Sequence, residues 1–361
     1  MPITEIVDLT ASLVAVPNSK SEREAGAVVR EWLENNTSAT VESDETGNIF
    51  ARKGSGPPSL AFVGHHDVVS PAQSQVTDNR IVVTDEGDRL FGRGTADMKG
   101  ALAAMMVAFR EADPDIELIF ASFVEEEAGG IGAQAAIEDG FEPAYAIVGE
   151  GSASYSSDGV LDVGVAHKGR RGSLIQATGT SAHASEPSAG ENAIYRAMEA
   201  IDLIRSLDMP TETVFGKSIA GSLTVTEIES EDGWNTVPDF CEVTVDERTV
   251  PGQTADLERV ESISGIEFSV EQNLPPMRCD SSAFATQVLE IAKESQSGTP
   301  HRIVKPHATD AGWLSNAGTD CLICGPAEPG EAHTANESVS KSLLSTAFEC
   351  YLGVADNWAG E

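Results

Sequence analysis

Ile116-Glu117-Leu118-Ile119-Phe120-Ala121-Ser122-Phe123-Val124, followed at once by Glu125-Glu126-Glu127-Ala128-Gly129-Gly130, decides how this chain is read. The apolar run reads as a buried strand, and three adjacent carboxylates sit where it ends. Carboxylates crowded at the end of a buried strand repel one another and lose hydration, so a nearby positive charge is needed to keep them ionised. A metal site supplies that charge; for the run taken alone, a solvated acid patch is the other reading.

Two more apolar runs end in ligand-type residues. Ser59-Leu60-Ala61-Phe62-Val63-Gly64 leads into His65-His66-Asp67, and Ala144-Tyr145-Ala146-Ile147-Val148-Gly149 leads into Glu150. In an open α/β sheet ligands bind beyond the carboxyl ends of the strands. Three strand ends therefore aim imidazole and carboxylate groups at one crevice. In an extended continuation residues i and i+2 share a side, so His65 and Asp67 face the crevice together while His66 points away in a structural role. Asp67 can then fix the tautomer of the His65 ring.

Patterning around these runs predicts the architecture. Helical and strand patterns alternate over residues 1–168: a helix near Lys20 to Glu34, strands at Asn48 to Arg52 and Ser59 to Gly64, an amphipathic helix from Lys99 to Ala112, the Ile116 strand, a short helix after Gly130 and the Ala144 strand. This predicts an α/β fold with a mixed, largely parallel central sheet flanked by helices. Residues 169–277 read strand (Gly172 to Gly179), helix (Glu191 to Ser206), strand (Ser222 to Ser230), strand (Asp239 to Arg248), helix (Thr254 to Ser262) and strand (Ile266 to Val270), the order of a ferredoxin-like α+β unit. Residues 278–361 resume the first pattern, with a helix from Ser281 to Ser295, the strand Asp320 to Cys324 and a last helix from Ser338 to Leu352. The expected organisation is one metal-binding domain, 1–168 and 278–361, interrupted by an inserted domain at 169–277.

The 361 residues carry a formal net charge of -35, with eight lysines against fifteen arginines. Such a surface repels nucleic-acid phosphates and anionic lipid, which excludes both as expected partners. Its self-repulsion is largely screened at about 1 M salt, where the Debye length is roughly 3 Å, so the acidity reads as adaptation to a high-salt interior. No run approaches the roughly 20 apolar residues of a membrane span. Met1-Pro2-Ile3-Thr4-Glu5-Ile6 lacks a basic segment before an apolar core, and a cytoplasmic protein is expected. The five cysteines, odd in number and scattered, argue against a disulfide framework. Cys321 and Cys324 lie in an apolar run and read as small hydrophobes.

Two loops add further ligand types. Phe91-Gly92-Arg93-Gly94-Thr95-Ala96-Asp97-Met98-Lys99-Gly100 brings an acid to the start of a helix, where it is a capping residue or a metal bridge. His333 lies in Gly330-Glu331-Ala332-His333-Thr334-Ala335-Asn336-Glu337, a loop before the last helix.

With these residues in view, GHHDVV, GRGTADMKG, EEEAGG, VGEGS, TSAHAS, WNTVPD and GEAHTANES resemble, in order and spacing, the co-catalytic zinc amidohydrolases and metallopeptidases. That family includes succinyl-diaminopimelate desuccinylase, acetylornithine deacetylase, aminoacylase and glutamate carboxypeptidase, and the resemblance spans essentially the whole chain. It implies two divalent ions, zinc with cobalt or manganese as substitutes. Asp97 would bridge them, with His65 and Glu150 completing one site and Glu127 and His333 the other. It implies Glu126 as general base, Asp67 as support for His65, and a cis peptide after Asp97. The inserted domain would act as lid and homodimerisation surface. There His183 resembles the histidine that reaches across a dimer to the reacting oxyanion, and Asn235 and Arg248 resemble residues that hold the substrate carboxylate. Lys168, Arg170 and Arg171, in a basic turn at the entry to that domain, point to a dianionic substrate. The function so implied is removal of an N-acyl group from an amino acid, with succinyl-diaminopimelate favoured. Deacetylation of acetylornithine or acetyl-lysine and metallo-exopeptidase action are the alternatives. A non-catalytic scaffold is disfavoured, because the base and all five ligands are in place.

Overall fold

Ile6, Leu9, Thr10, Leu13 and Val14 recur at spacings of three and four, and they form the buried face of α1 (Pro2–Val14), a helix outside the expected set. The computed structural model describes residues 2–17, 21–230 and 233–360. Lys20, where the next helix was expected to start, lies outside the described residues; α2 spans Ser21–Asn36. The later helices are α3 (Gly100–Glu111), α4 (Ile131–Glu138), α5 (Ala193–Arg205), α6 (Ser282–Glu294), α7 (Asp310–Asn316) and α8 (Lys341–Asn357).

The central sheet has nine strands. In chain order they are β1 (Thr40–Ser43), β2 (Ile49–Lys53), β3 (Ser59–His65), β4 (Glu117–Phe123), β5 (Tyr145–Val148), β6 (Val163–His167), β7 (Met277–Arg278), β8 (Arg302–Lys305) and β9 (Asp320–Ile323). Their spatial order is β1-β2-β4-β3-β5-β9-β6-β7, with β8 beside β6. The middle four, β4-β3-β5-β9, are mutually parallel, whereas β1 and β2 on one side and β6 on the other run antiparallel to their neighbours. Strands buried on both faces need helices over both, which is why β3 and β4 are nearly continuous apolar runs.

Helix α3 departs from the expected amphipathic pattern. Every residue from Gly100 to Phe109 is buried, because α1 and α8 cover the side turned away from β3 and β4. Its Gly and Ala positions let these neighbours approach closely. The last helix also starts later than expected. Ser338–Ser340 pairs as a strand with Arg89–Phe91, and Ser340 then caps α8, its Oγ accepting the Leu343 N–H at 3.2 Å. Among the described residues no helix is long and apolar enough to cross a membrane.

The chain folds as two compact units, Met1–Ala166 with Met277–Lys305 and Thr309–Glu361, and His167–Pro276 with Pro306–Ala308. The second unit holds a four-stranded antiparallel sheet in the order Ser222–Glu229, Phe240–Arg248, Arg170–Thr178, Ile266–Leu274. Ala193, Ala197, Ala200 and Ile204 of α5 pack onto Ile175, Ala177, Val243 and Val245 of that sheet. The segment expected as a helix from Thr254 to Ser262 is instead a 3-10 turn, Leu257–Ser262. Its two buried residues, Leu257 and Val260, are three apart, the spacing that eclipses in a 3-10 turn.

Candidate metal centre

Parallel pairing puts the ends of three strands level. His65, last in β3, pairs with Phe123, last in β4, and Val63 pairs with Val148, last in β5. The residues that follow, Asp67, Glu125 to Glu127 and Glu150, leave the same edge of the sheet together.

Two groups of potential ligands form there, His65–Asp97–Glu150 and Asp97–Glu127–His333, each with its donor atoms within 4.8 Å of one another. Asp97 belongs to both. Its Oδ1 lies 3.2 Å from His65 Nε2, and its Oδ2 lies 3.1 Å from His333 Nε2, so one carboxylate offers one oxygen to each group. Glu150 Oε1 is 3.5 Å from His65 Nε2, and Glu127 Oε1 is 2.9 Å from His333 Nε2. Asp67 Oδ1 sits 3.2 Å from His65 Nδ1, leaving Nε2 to face Asp97 and Glu150. The peptide between Asp97 and Met98 is cis. His66 turns away, its Nδ1 2.7 Å from Ser122 Oγ, and burial holds its pKa down at about 3.

The electrostatics are those of crowded acids sharing protons. Burial would lower the pKa of His65, but Asp67, Asp97 and Glu150 carry it well above the usual imidazole value. The hydrogen bond to Asp97, against the opposing effect of burial, and then Glu127 raise His333 to about 9. Burial, followed by the charge of Asp97, raises Glu127, and burial above all raises Glu126 far above the ordinary carboxylate range. Divalent cations would compete with these protons for the same lone pairs. Imidazole nitrogens and carboxylate oxygens, three to a group with one carboxylate shared, form a donor set that suits zinc, cobalt or manganese.

The acid run is held by its own backbone. The N–H groups of Glu126 and Glu127 donate to the two oxygens of Asp67, at 3.2 and 3.1 Å. Glu125, the spare acid, takes a left-handed φ of 50° and donates its N–H to Glu22 at 2.9 Å. Trp313 Nε1 donates to Gly129 O at 3.2 Å, which ties α7 to the same turn. Among the described residues the Glu126 carboxylate accepts no hydrogen bond. Three further ionisable side chains, absent from the motifs, stand beside these groups. Glu22 supports Glu125, Lys305 is a buried cation 3.6 Å from Glu150 Oε2, and Asp310 is a buried carboxyl with neither oxygen hydrogen-bonded. Burial pushes Asp310 up to about 8. None of the three belongs to a run of ligand types, so only tertiary contact reveals them.

Within the second unit, His183 and Asn235 come together on the small ribbon Ala182–His183 and Thr236–Val237, with Asn235 Nδ2 3.5 Å from His183 Nε2. Arg248 and Arg170 converge on Asp246, their Nε atoms donating at 2.8 and 2.6 Å. The expected basic cluster needs correction at Arg171. That side chain is buried and bonds Glu247 at 2.7 Å, Glu258 at 3.2 Å and Ala255 O at 3.3 Å, which leaves it a structural ion pair with no open face for substrate. Neighbours in a strand face opposite sides, so Arg170 and Arg171 form no common surface.

The sequence model of peptidase family M20/M25/M40 matches residues 61–357. An acetylornithine deacetylase from Proteus mirabilis is 26% identical over 385 residues, covering 98% of this chain and 96% of the relative. A succinyl-diaminopimelate desuccinylase from Acidiphilium cryptum is 26% identical over 333 residues, 86% of each. Among solved structures, aminopeptidase PepT from Bacillus cereus superposes with a TM-score of 0.79 at 20% identity, over 98% of both chains. The YXEP protein of Bacillus subtilis, described as a dinuclear metal-binding peptidase of the M20 family, superposes with a TM-score of 0.72 at 16% identity, over 98% and 97% of the two chains.

Proposed function

Since this chain belongs to peptidase family M20/M25/M40, we propose that it is a two-metal hydrolase that removes an acyl group from the amine of a small amino acid. The observation that carries this reading is Asp97, with one oxygen turned to His65 and the other to His333, in a family of hydrolases. Two divalent cations bound there would activate water and polarise the scissile carbonyl. His65, Asp97, Glu150, Glu127 and His333 would hold them, with Asp67 orienting His65. Glu126 takes a proton from the attacking water and returns it to the leaving nitrogen as the C–N bond breaks. The products are a free amine and a carboxylate. His183, Asn235 and Arg248 of the second unit take the roles their motifs imply, on the oxyanion and the substrate carboxylate.

For the acyl group, the case for succinyl-diaminopimelate rests on a basic cluster, Lys168, Arg170 and Arg171. Arg171 is enclosed by Glu247, Glu258 and Ala255, which removes one member of that cluster, so acetylornithine is tested beside the succinyl substrate. The succinyl reading keeps the support of a relative at the same identity. The protein is further read as a cytoplasmic homodimer adapted to high salt. Tyr195 and Met198 on α5, Ile228 on the edge strand Ser222–Glu229 and Trp234 are exposed large apolar residues of the second unit, and an exposed edge strand with apolar residues suits pairing with a second copy.

Amine release by zinc-loaded protein in high salt, compared across N-acetylornithine, N-succinyl-diaminopimelate and unblocked dipeptides, tests the reading. Turnover of an acyl amino acid supports it, and turnover of dipeptides alone replaces it with an exopeptidase.

A further inference from the structure

Two motifs of the sequence contain charged residues that the hydrolytic reading leaves without work: Arg93 in GRGTADMKG and Glu337 in GEAHTANES. They meet in the interior, Arg93 Nη1 donating to Glu337 Oε2 at 2.5 Å, with side-chain exposures of 4% and 0%. A buried ion pair is weak evidence of stability, because desolvation offsets its attraction. Its other hydrogen bonds suggest a different purpose.

Glu337 Oε1 accepts three backbone N–H groups of one turn, from Gly94 at 2.8 Å, Ala96 at 3.0 Å and Asp97 at 3.1 Å. The turn is opened by Gly94, whose φ of 89° is left-handed and whose missing Cβ would lie 2.6 Å from Val68 Cγ1. Glu337 thus grips the main chain of the residue that both ligand groups share. Arg93 meanwhile reaches the other loop, its Nη2 donating to the carbonyl of His333 at 3.2 Å. His333 is a non-glycine residue at φ 64°, a conformation that persists only where surrounding contacts over-determine it. Arg93 is one such contact, and a guanidinium can serve two acceptors at once because its donors are fixed in a planar fork.

We infer that Arg93 and Glu337 are positioning residues for the metal centre: Glu337 sets Asp97, and Arg93 sets His333 against it. The inference rests on the two-metal reading of the site. The two residues act unequally. Losing the Arg93 contact to His333 affects only the group that contains His333, whereas disturbing Glu337 affects both groups through Asp97.

Titration of metal-free protein with zinc ions, followed calorimetrically, separates these effects. Arg93→Lys keeps a cation beside Glu337 but lacks the fork that also reaches the His333 carbonyl. It is expected to weaken one of two binding events by about 10- to 100-fold, the range seen when groups that orient ligands are removed, and to leave the other unchanged. Glu337→Gln is expected to weaken both. Two unchanged events in Arg93→Lys, or equal weakening of both, would overturn the inference; should Glu337→Gln fail to fold, Arg93→Lys decides alone. Wild-type protein that binds fewer than two zinc ions would instead overturn the two-metal reading beneath it.

Discussion

Gly130 closes the turn that carries Glu126 and Glu127, and Gly130→Ala should disturb that turn in two separable ways. At φ 76° and ψ 35° the backbone is left-handed, which costs an alanine about 1–2 kcal/mol. The added Cβ would also lie 2.5 Å from Trp313 Nε1 and 2.8 Å from Asp310 Oδ1, closer than any real contact. Relief requires the indole to move, at about 1–3 kcal/mol of overpacking, and to lose its hydrogen bond to Gly129 O, worth about 1 kcal/mol. The sum is about 3–6 kcal/mol. The turn that follows α4 supplies a control, since Gly140 there has φ 90° with open space where a Cβ would go. Gly140→Ala should therefore show only the left-handed cost of about 1–2 kcal/mol. Urea unfolding of both variants gives the difference, and turnover on an acyl amino acid reads the site. Gly130→Ala should also lose about 100-fold in rate, the expected effect of a displacement near 1 Å, while Gly140→Ala keeps wild-type turnover. Equal destabilisation of the two variants, or full activity in Gly130→Ala, would refute the contact argument.

Glu126→Gln should retain its metal, measured by elemental analysis, while turnover falls by about 10²- to 10⁴-fold; a wild-type rate removes the base assignment. Burial raises the Asp246 carboxyl, but Arg170 and Arg248 outweigh it and leave the folded-state pKa below the usual value of 3.8. Its stabilisation is therefore complete above the unfolded value and fades as pH falls through the folded one. Asp246→Asn should cost about 1–3 kcal/mol at pH 7, and its deficit should shrink below about pH 4; a deficit independent of pH would contradict the charge argument. Raising KCl from about 0.1 to 1 M, which shortens the screening length from about 10 to 3 Å, should raise the melting temperature of a chain of net charge -35, and a fall would count against adaptation to salt.

The residues nominated as metal ligands were legible because each follows an apolar strand or lies in a glycine-rich loop, and parallel register brings such ends together. His65, Asp97, Glu127, Glu150 and His333 lie in two groups whose donor atoms come within 4.8 Å of one another, which is the geometry the proposed metal site needs. What escaped depends on longer-range contact or on period. Ser338–Ser340 extends the helical pattern by eye, yet it pairs with Arg89–Phe91 far away in sequence. Arg170 and Arg171 look like a basic cluster until the two-residue period of their strand separates them. Helix α1 carries no motif at all, although the spacing of Ile6, Leu9 and Leu13 would have revealed it. Glu337 lay inside a quoted motif, but nothing local shows that its side chain accepts three N–H groups from a turn some 240 residues earlier.

If Asp97 joins a pair of metal ions, anomalous X-ray scattering from crystals grown with zinc should show two peaks, one beside His65 and Glu150 and one beside Glu127 and His333, each in contact with a different oxygen of Asp97. A single peak, or peaks that leave Asp97 uncoordinated, would contradict it.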